Sequence, residues 1–321
     1  MKNSIKYTLA GLAALLLAGC NHKELCYDHG HIVSLQVIFD WSKAPEANPS
    51  TMSLYLFPKN GGQPQRYEFV DRNGSEIRVA AGSYDALCLN SDTEGIEYRN
   101  TDAFETFEAY TRNTELLQAG LTSLGVSSSG APRPTVAEDE RIALAADTLW
   151  TGSLLDIRIA DSDDTQSITL TPDISVCNYR VEITGAENLK YTLGLSAALT
   201  GMSGGVKPSD GSISDEVVTH PFTMYMADDQ TSLSGSLLTF GHCPAADATH
   251  TLTVYAVLGD GQKFAYTYDS EEVTRQIHEA PDQRNVVIRL EGLPLPKPIA
   301  NGGGFQPSVG DWGEVNVEIP M

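Results

Sequence analysis

Ile32-Val33-Ser34-Leu35-Gln36-Val37-Ile38-Phe39-Asp40-Trp41 places Val33, Leu35, Val37, Phe39 and Trp41 on one face of an extended chain, with Ser34, Gln36 and Asp40 on the other. A period of two is the signature of a half-buried strand, because successive side chains point to opposite faces of the pleat. The pattern continues outward through Met52 to Phe57, Arg66 to Val70, Glu76 to Ala80 and Tyr84 to Leu89. Turn residues separate these runs: Pro58-Lys59-Asn60-Gly61-Gly62, Asp71-Arg72-Asn73-Gly74 and Ala81-Gly82. Short strands at intervals of about 8 to 12 residues predict a sandwich or barrel and exclude an alternating α/β plan.

Between 112 and 147 the pattern lapses, and Ser127-Ser128-Ser129-Gly130-Ala131-Pro132-Arg133-Pro134 reads as exposed loop, expected here as a long insertion in an N-terminal domain. Alternation resumes at Leu154 to Ile159 and Ser167 to Thr171, and Pro172-Asp173 marks the expected boundary. Beyond it Cys177, Tyr179, Val181 and Ile183 share one face of a new strand. More strands are expected at Tyr191 to Leu195, Phe222 to Met226, Leu237 to Phe240, Thr251 to Leu258, Phe264 to Tyr268 and Asn285 to Leu290. Asp269 to Ala280 is expected as a helix, with Asp269 and Glu272 as a capping box and Val273 and Ile277 facing the core. A Gly-rich stretch, Gly302-Gly303-Gly304, precedes a last alternating segment, Val315, Val317 and Ile319. These three residues are candidates for a strand that pairs within its own domain or with another subunit.

The chain has 321 residues with 21 basic and 42 acidic side chains, a formal charge of -21. A surface this acidic argues against nucleic acid as a partner, since phosphate binding requires basic groups to release counterions. At 41% hydrophobic residues, the chain has the apolar mass for cores and is not of disordered composition. Lys2 and Lys6 followed by an apolar run from Leu9 to Ala18 read as a secretory signal, too short to span a bilayer. The run ends Leu17-Ala18-Gly19-Cys20, which resembles a bacterial lipobox and implies cleavage before Cys20 and acylation of its thiol. The expected organisation is a cleaved signal peptide over 1–19, a lipidated tether over 20–30, and β domains over 31–172 and 173–321. The mature chain would carry 19 minus 42, or -23.

Cys26, Cys88, Cys177 and Cys243 remain for an oxidising compartment. Four cysteines allow three pairings, and one bridge per half would join Cys26 to Cys88 and Cys177 to Cys243; buried free thiols are the alternative. No catalytic residue and no metal site is assigned. Gly201-Met202-Ser203-Gly204-Gly205 fits the GxSxG pattern, but Val206-Lys207-Pro208 does not continue as the helix a nucleophile elbow requires. Cys26, Asp28, His29 and His31 lack a second ligand pair, as do His242, Cys243 and His250. Asp161, Asp163 and Asp164 lack the spacing of a calcium loop and read as a solvated turn. No cofactor is expected beyond the acyl lipid on Cys20.

His22-Lys23-Glu24-Leu25-Cys26-Tyr27-Asp28-His29 just after the lipobox, Val37-Ile38-Phe39-Asp40-Trp41, Leu54-Tyr55-Leu56-Phe57-Pro58 and Leu89-Asn90-Ser91-Asp92-Thr93-Glu94 carry a resemblance. So do Thr200-Gly201-Met202-Ser203-Gly204, Thr239-Phe240-Gly241, Gly304-Phe305-Gln306-Pro307 and Asp311-Trp312. Together they resemble the FimB-like fimbrial anchor lipoproteins of Bacteroidales, within the fimbrillin superfamily. The resemblance implies two tandem transthyretin-like (Greek-key) β-sandwich domains at the outer membrane, a role in anchoring or assembling a fimbria, and fimbrillin-like pilus subunits or other surface proteins as partners. It also implies that shaft subunits are lipidated and then cut after an arginine. This chain has no arginine between Cys20 and Gln65, which favours a retained anchor. The short acidic run after Cys20 leaves the periplasmic face open beside the cell surface. Two other functions stay open: a surface module binding glycan or host protein, favoured if Trp41, Trp150 and Trp312 cluster on an exposed face, and a lipid-anchored hydrolase.

Overall fold

The computed structural model describes residues 31–244, 249–298 and 312–317. The first half supplies β1 (Ile32–Phe39), β2 (Met52–Pro58), β3 (Gln65–Phe69), β4 (Glu76–Ala80), β5 (Gly82–Asn90), β6 (Ile96–Arg99), β7 (Glu108–Thr111), a one-turn helix α1 (Ala119–Thr122), β8 (Arg141–Ile142), β9 (Trp150–Ile159), β10 (Gln166–Leu170) and β11 (Asp173–Ile174). The second half supplies β12 (Cys177–Glu187), β13 (Thr192–Ser203), β14 (Gly205–Val206), β15 (Val217–Thr223), β16 (Tyr225–Met226), β17 (Leu233–Thr239), β18 (Leu252–Leu258), β19 (Lys263–Tyr268), α2 (Ser270–His278), β20 (Asn285–Pro294) and β21 (Gly313–Val317).

These strands build two sandwiches, and the fold is all-β. In the first, a sheet ordered β10-β1-β4 faces one ordered β11-β9-β5-β2-β3; in the second, β16-β17-β12-β20 faces β21-β19-β18-β13-β15-β8. The two repeat one plan. The leading strands β1 and β12 are each central, with the late strands β10 and β20 running parallel beside them. By the same correspondence β9 in the first sandwich matches β19 in the second.

β1 and β12 show why the sequence takes this form. Val33, Leu35, Val37 and Phe39 are at most 6% exposed, while Ile32 and Ile38 on the alternate face are exposed. Tyr179, Val181 and Ile183 are fully buried within β12, and the alternating Arg180 and Thr184 are exposed. Each fully buried side chain of this size contributes about 1.5–3 kcal/mol, which fixes the register, since a one-residue slip would turn every apolar group outward.

The central strands of the larger sheets are buried on both faces, because each sandwich carries a third layer. The outer-face residues Tyr55, Phe57, Leu87 and Leu89 of β2 and β5 pack against Phe104, Phe107 and Ala109 beside the β6–β7 hairpin, together with Val206 and Phe240 of the second half. In β18, Leu252, Val254, Ala256 and Leu258 face the main core, whereas Tyr255 and Val257 face outward and are covered by Leu116, Leu117, Leu121 and Val126. The segment 112–147, expected as a loop of the first domain, therefore runs over the second sandwich: β8 pairs with β15, and α1 packs on β13. Its leucines bury where an uncovered apolar sheet face exists.

The halves are joined by shared strands and ions. β14 pairs with β7, matching Gly205 to Tyr110 and Val206 to Ala109. Arg99 makes a bidentate bond to Glu108 at 2.7 and 2.8 Å and reaches Glu216 at 2.8 Å, and Arg141 donates to Glu216 at 2.6 Å and to the Thr111 carbonyl at 2.7 Å. Burial pushes the Glu216 carboxyl up, but the guanidinium groups of Arg141 and Arg99 outweigh it and hold it below the usual carboxylate range. At α2, Asp269 accepts from the Glu271 amide at 2.8 Å as expected of an N-cap. The reciprocal half of the capping box is absent, since Glu272 instead binds Arg275 and Gln276.

Candidate strand-docking edges

The alternation of Val315 and Val317 forms β21, which lies parallel on β19 at the edge of the six-stranded sheet. Tyr266 faces Val315 and Tyr268 faces Val317. Val317 is 8% exposed and joins the core, Val315 packs against it, and Glu314 and Asn316 point to solvent. A Cβ at Gly313 would sit 2.9 Å from the half-buried Phe264 ring, so any larger residue there would push that ring aside. Trp312 turns to the other face and meets Tyr255 edge-on at 5.5 Å, with the Lys263 ammonium 5.8 Å from its ring. Ile319 lies outside the described residues.

Magnitudes place this docking near balance. Burying Val317 and part of Val315 contributes about 2–4 kcal/mol, and each ladder hydrogen bond adds about 0.5–1.5 kcal/mol. Ordering five residues costs about 5–10 kcal/mol.

The matching edge of the first sandwich is largely uncovered. β11 pairs only with Trp150 and Thr151 of β9. From Gly152 onward β9 is bonded to β5 on one side, and among the described residues no strand lies on the other. A cleft of about 640 Å³ opens there, lined by Gly152, Ser153 and Leu154 of β9, Thr169 of β10, and Lys43 and Arg284 at its margins. Ser153 is exposed and Leu154 half-buried, so the edge offers backbone groups with an apolar flank. Sequence reading located β9 but not its open side; a sign of it is the shortness of the alternation after Pro172, where Asp173 and Ile174 pair back onto the first sandwich.

The remaining candidates fall elsewhere. Cys20, Cys26, Asp28 and His29 lie outside the described residues. The expected Cys177–Cys243 bridge is not formed. Cys177 carries a free thiol, and the Cys243 sulfur is directed to the Asp215 carbonyl at 3.6 Å. Cys88 is also a free thiol, fully buried within β5, and burial pushes it up. Its sulfur lies 3.1 Å from where a Cβ on Gly152 would be, so it packs the sheet as a small apolar group. His31 is exposed and 3.4 Å from Asp161.

Ser203 is fully buried, and its hydroxyl faces the carbonyls of Gly205 and Ser214, at 3.1 and 2.7 Å, so it is held by backbone acceptors. It closes β13 beyond a bulge at Leu199–Met202 rather than sitting in a loop. The tryptophans do not make an exposed platform. Trp41 is 7% exposed and meets Trp150 edge-on at 6.1 Å within the first sandwich, whereas Trp312 belongs to the second.

The chain is 23% identical, over the full length of both, to a Bacteroides ovatus protein provisionally named fimbrium anchoring subunit Fim4B. Its fold is similar to the crystal structure of a Bacteroides ovatus protein provisionally described as an adhesin, with a TM-score of 0.58 and 18% identity over 94% of this chain and 98% of that one. The fimbrial anchor protein Mfa2 of Porphyromonas gingivalis overlaps it at a TM-score of 0.46, with 12% identity over 81% of this chain and 90% of that one. A family profile described as a domain of unknown function, DUF5119, matches residues 19–223, from ahead of β1 through β15, and the chain belongs to that family.

Proposed function

We propose that this protein is a non-enzymatic fimbrial anchor or assembly subunit that engages its partner by β-strand addition. The observation that carries the reading is the contrast between equivalent edges: β19 is covered by β21, whereas β9 past Thr151 is bare among the described residues. An incoming extended segment would satisfy the backbone groups of β9 and seat alternate apolar side chains beside Leu154. The full-length likeness to a protein named for fimbrium anchoring supports the choice of partner, a fimbrillin-like subunit.

In this reading an acyl lipid on Cys20 holds the acidic body at the outer membrane, on its outer face. Retention of that lipid is supported by the first arginine after Cys20. Arg66 lies within β3 and is ion-paired to Glu68 at 2.5 Å, so an arginine-specific protease meets a folded strand there. Non-permeant protease applied to intact cells, with isolation of co-purifying proteins from untreated cells, tests the proposal. Cleavage of the protein together with a co-purifying fimbrillin-like subunit is expected. Protection without such a partner would refute it.

A further inference from the structure

We propose that His242, His250 and His278 form a proton-operated latch, which holds the C-terminal end of α2 against the second sandwich at neutral pH and releases it in acid. The three residues come from separate elements: His242 follows β17, His250 precedes β18, and His278 ends α2. Their ring centroids are 4.9 Å (His242–His278), 5.1 Å (His250–His278) and 5.8 Å (His242–His250) apart.

The hydrogen bonds fix where protons sit. His250 is fully buried, and its Nδ1 lies 3.0 Å from the Thr200 carbonyl. A carbonyl only accepts, so Nδ1 carries the hydrogen and Nε2 of the neutral ring presents a lone pair. That lone pair faces His278 Nε2 at 3.0 Å, which makes His278 the donor. His278 is exposed, and its Nε2–H donates to His250 whichever charge the His278 ring carries. A proton on His250 is different, because two N–H groups would then face each other at 3.0 Å on charged rings in contact. The cluster accommodates one positive charge and expels the second.

Among the described residues no ion pair offsets that charge. β13 contributes the uncharged Thr200 and Gly201, and a Cβ on Gly201 would lie only 2.5 Å from His250 Nδ1, so the ring packs directly on the glycine backbone. From α2, Thr274 bonds the His250 backbone, while Arg275 is engaged by Glu272 and Glu279. Glu140 bonds the Gly201 amide and Thr219, and burial pushes its carboxyl up. Asp247 lies outside the described residues. Among the described residues no carboxylate is hydrogen-bonded to the three rings. Burial, aided by His278 and His242, pushes His250 down to about 4, and burial with His278 lowers His242.

The sign follows. An open form in which His250 titrates at its ordinary value binds more protons than the closed form between about pH 6.5 and 4. The latch is fully closed above that window and weakens as pH falls through it, with the open fraction rising on the order of 100-fold by pH 4.

Hydrogen exchange of the full chain, followed by mass spectrometry from pH 7.5 to 4 and corrected for intrinsic rates, tests this. Peptides covering 270–278 and 249–252 are expected to gain exchange on the order of 100-fold by pH 4, with the β1 peptide as a reference that changes far less. His250→Asn should flatten the response, and His278→Gln, which keeps an N–H donor, should retain it. Should His250→Asn fail to fold, His278→Ala serves, because opening His250 to water should move the transition to higher pH. Exchange unchanged from pH 7.5 to 4, an equal rise in the β1 peptide, or a transition that neither variant alters would overturn the latch. So would protection of α2 by zinc at pH 7.5 that His250→Asn abolishes, since the cluster would then be a metal site.

Discussion

Val317 faces Tyr268 in parallel register, buried to 8% exposure on a strand that nothing flanks on its outer side among the described residues. Val317→Asp places a carboxylate in that core and should undock β21. Because docking is nearly balanced, the loss of stability should be only about 1–3 kcal/mol in urea denaturation, with new protease sensitivity confined to the C-terminal end. A loss above about 5 kcal/mol would show that β21 is integral to the core.

Arg141 and Glu216 tie β8 to the segment entering β15. Arg141→Gln should destabilise the chain by about 1–3 kcal/mol at pH 7, since it leaves a half-buried carboxylate short of a partner. Glu216 is held below its ordinary value, so its contribution is present above that value and is lost as pH falls through the lowered one. The gap between wild type and variant in urea midpoint should therefore narrow below about pH 4.5.

Thiol chemistry separates Cys88 from Cys177. Without reductant, maleimide should label Cys177 in the folded protein and Cys88 only after unfolding, as read by peptide mass. Failure of Cys177 to label in denaturant without reductant would indicate a bridge.

Gly201 and Gly61 both have positive φ, +76° and +85°, but only Gly201 is crowded, its added Cβ falling 2.5 Å from His250 and 2.6 Å from the Thr249 carbonyl. Gly201→Ala should cost about 2–4 kcal/mol, against about 1 kcal/mol for Gly61→Ala, where space is open. Equal costs in thermal denaturation would mean that strain alone acts at both.

Much of the fold was legible because period-two patterning and burial are the same fact seen twice. β1, β12 and the cap of α2 stand where Ile32 to Phe39, Cys177 to Ile183 and Asp269 place them, but Trp41, expected on the first strand, lies past its end in a 3-10 turn capped by Asp40. The third layers were hidden, although Met52–Phe57 and Thr251–Leu258 carry their sign: continuous apolar runs belong to strands covered on both faces. Leu116, Leu117 and Leu121 have no periodicity of their own, because they fill a surface that distant strands create. The docking edges were half legible. Val315 and Val317 announced a strand, but the open side of β9 depends on how few residues β11 pairs, and the brief run Asp173-Ile174 after Pro172 is a faint local sign of it. The cysteine pairing was illegible for the same reason, since spacing along the chain does not measure distance between Cα atoms.

The most direct test of the strand-addition account is a photo-crosslinking residue placed at Ser153, on the exposed edge of β9, in cells that display fimbriae. The account predicts a crosslink from Ser153 to an extended segment of a fimbrillin-like subunit with alternating apolar residues, and none from a probe at Arg78 on the exposed face of β4. Fimbriated cells that yield no crosslink at Ser153, or the same products from both positions, would contradict it.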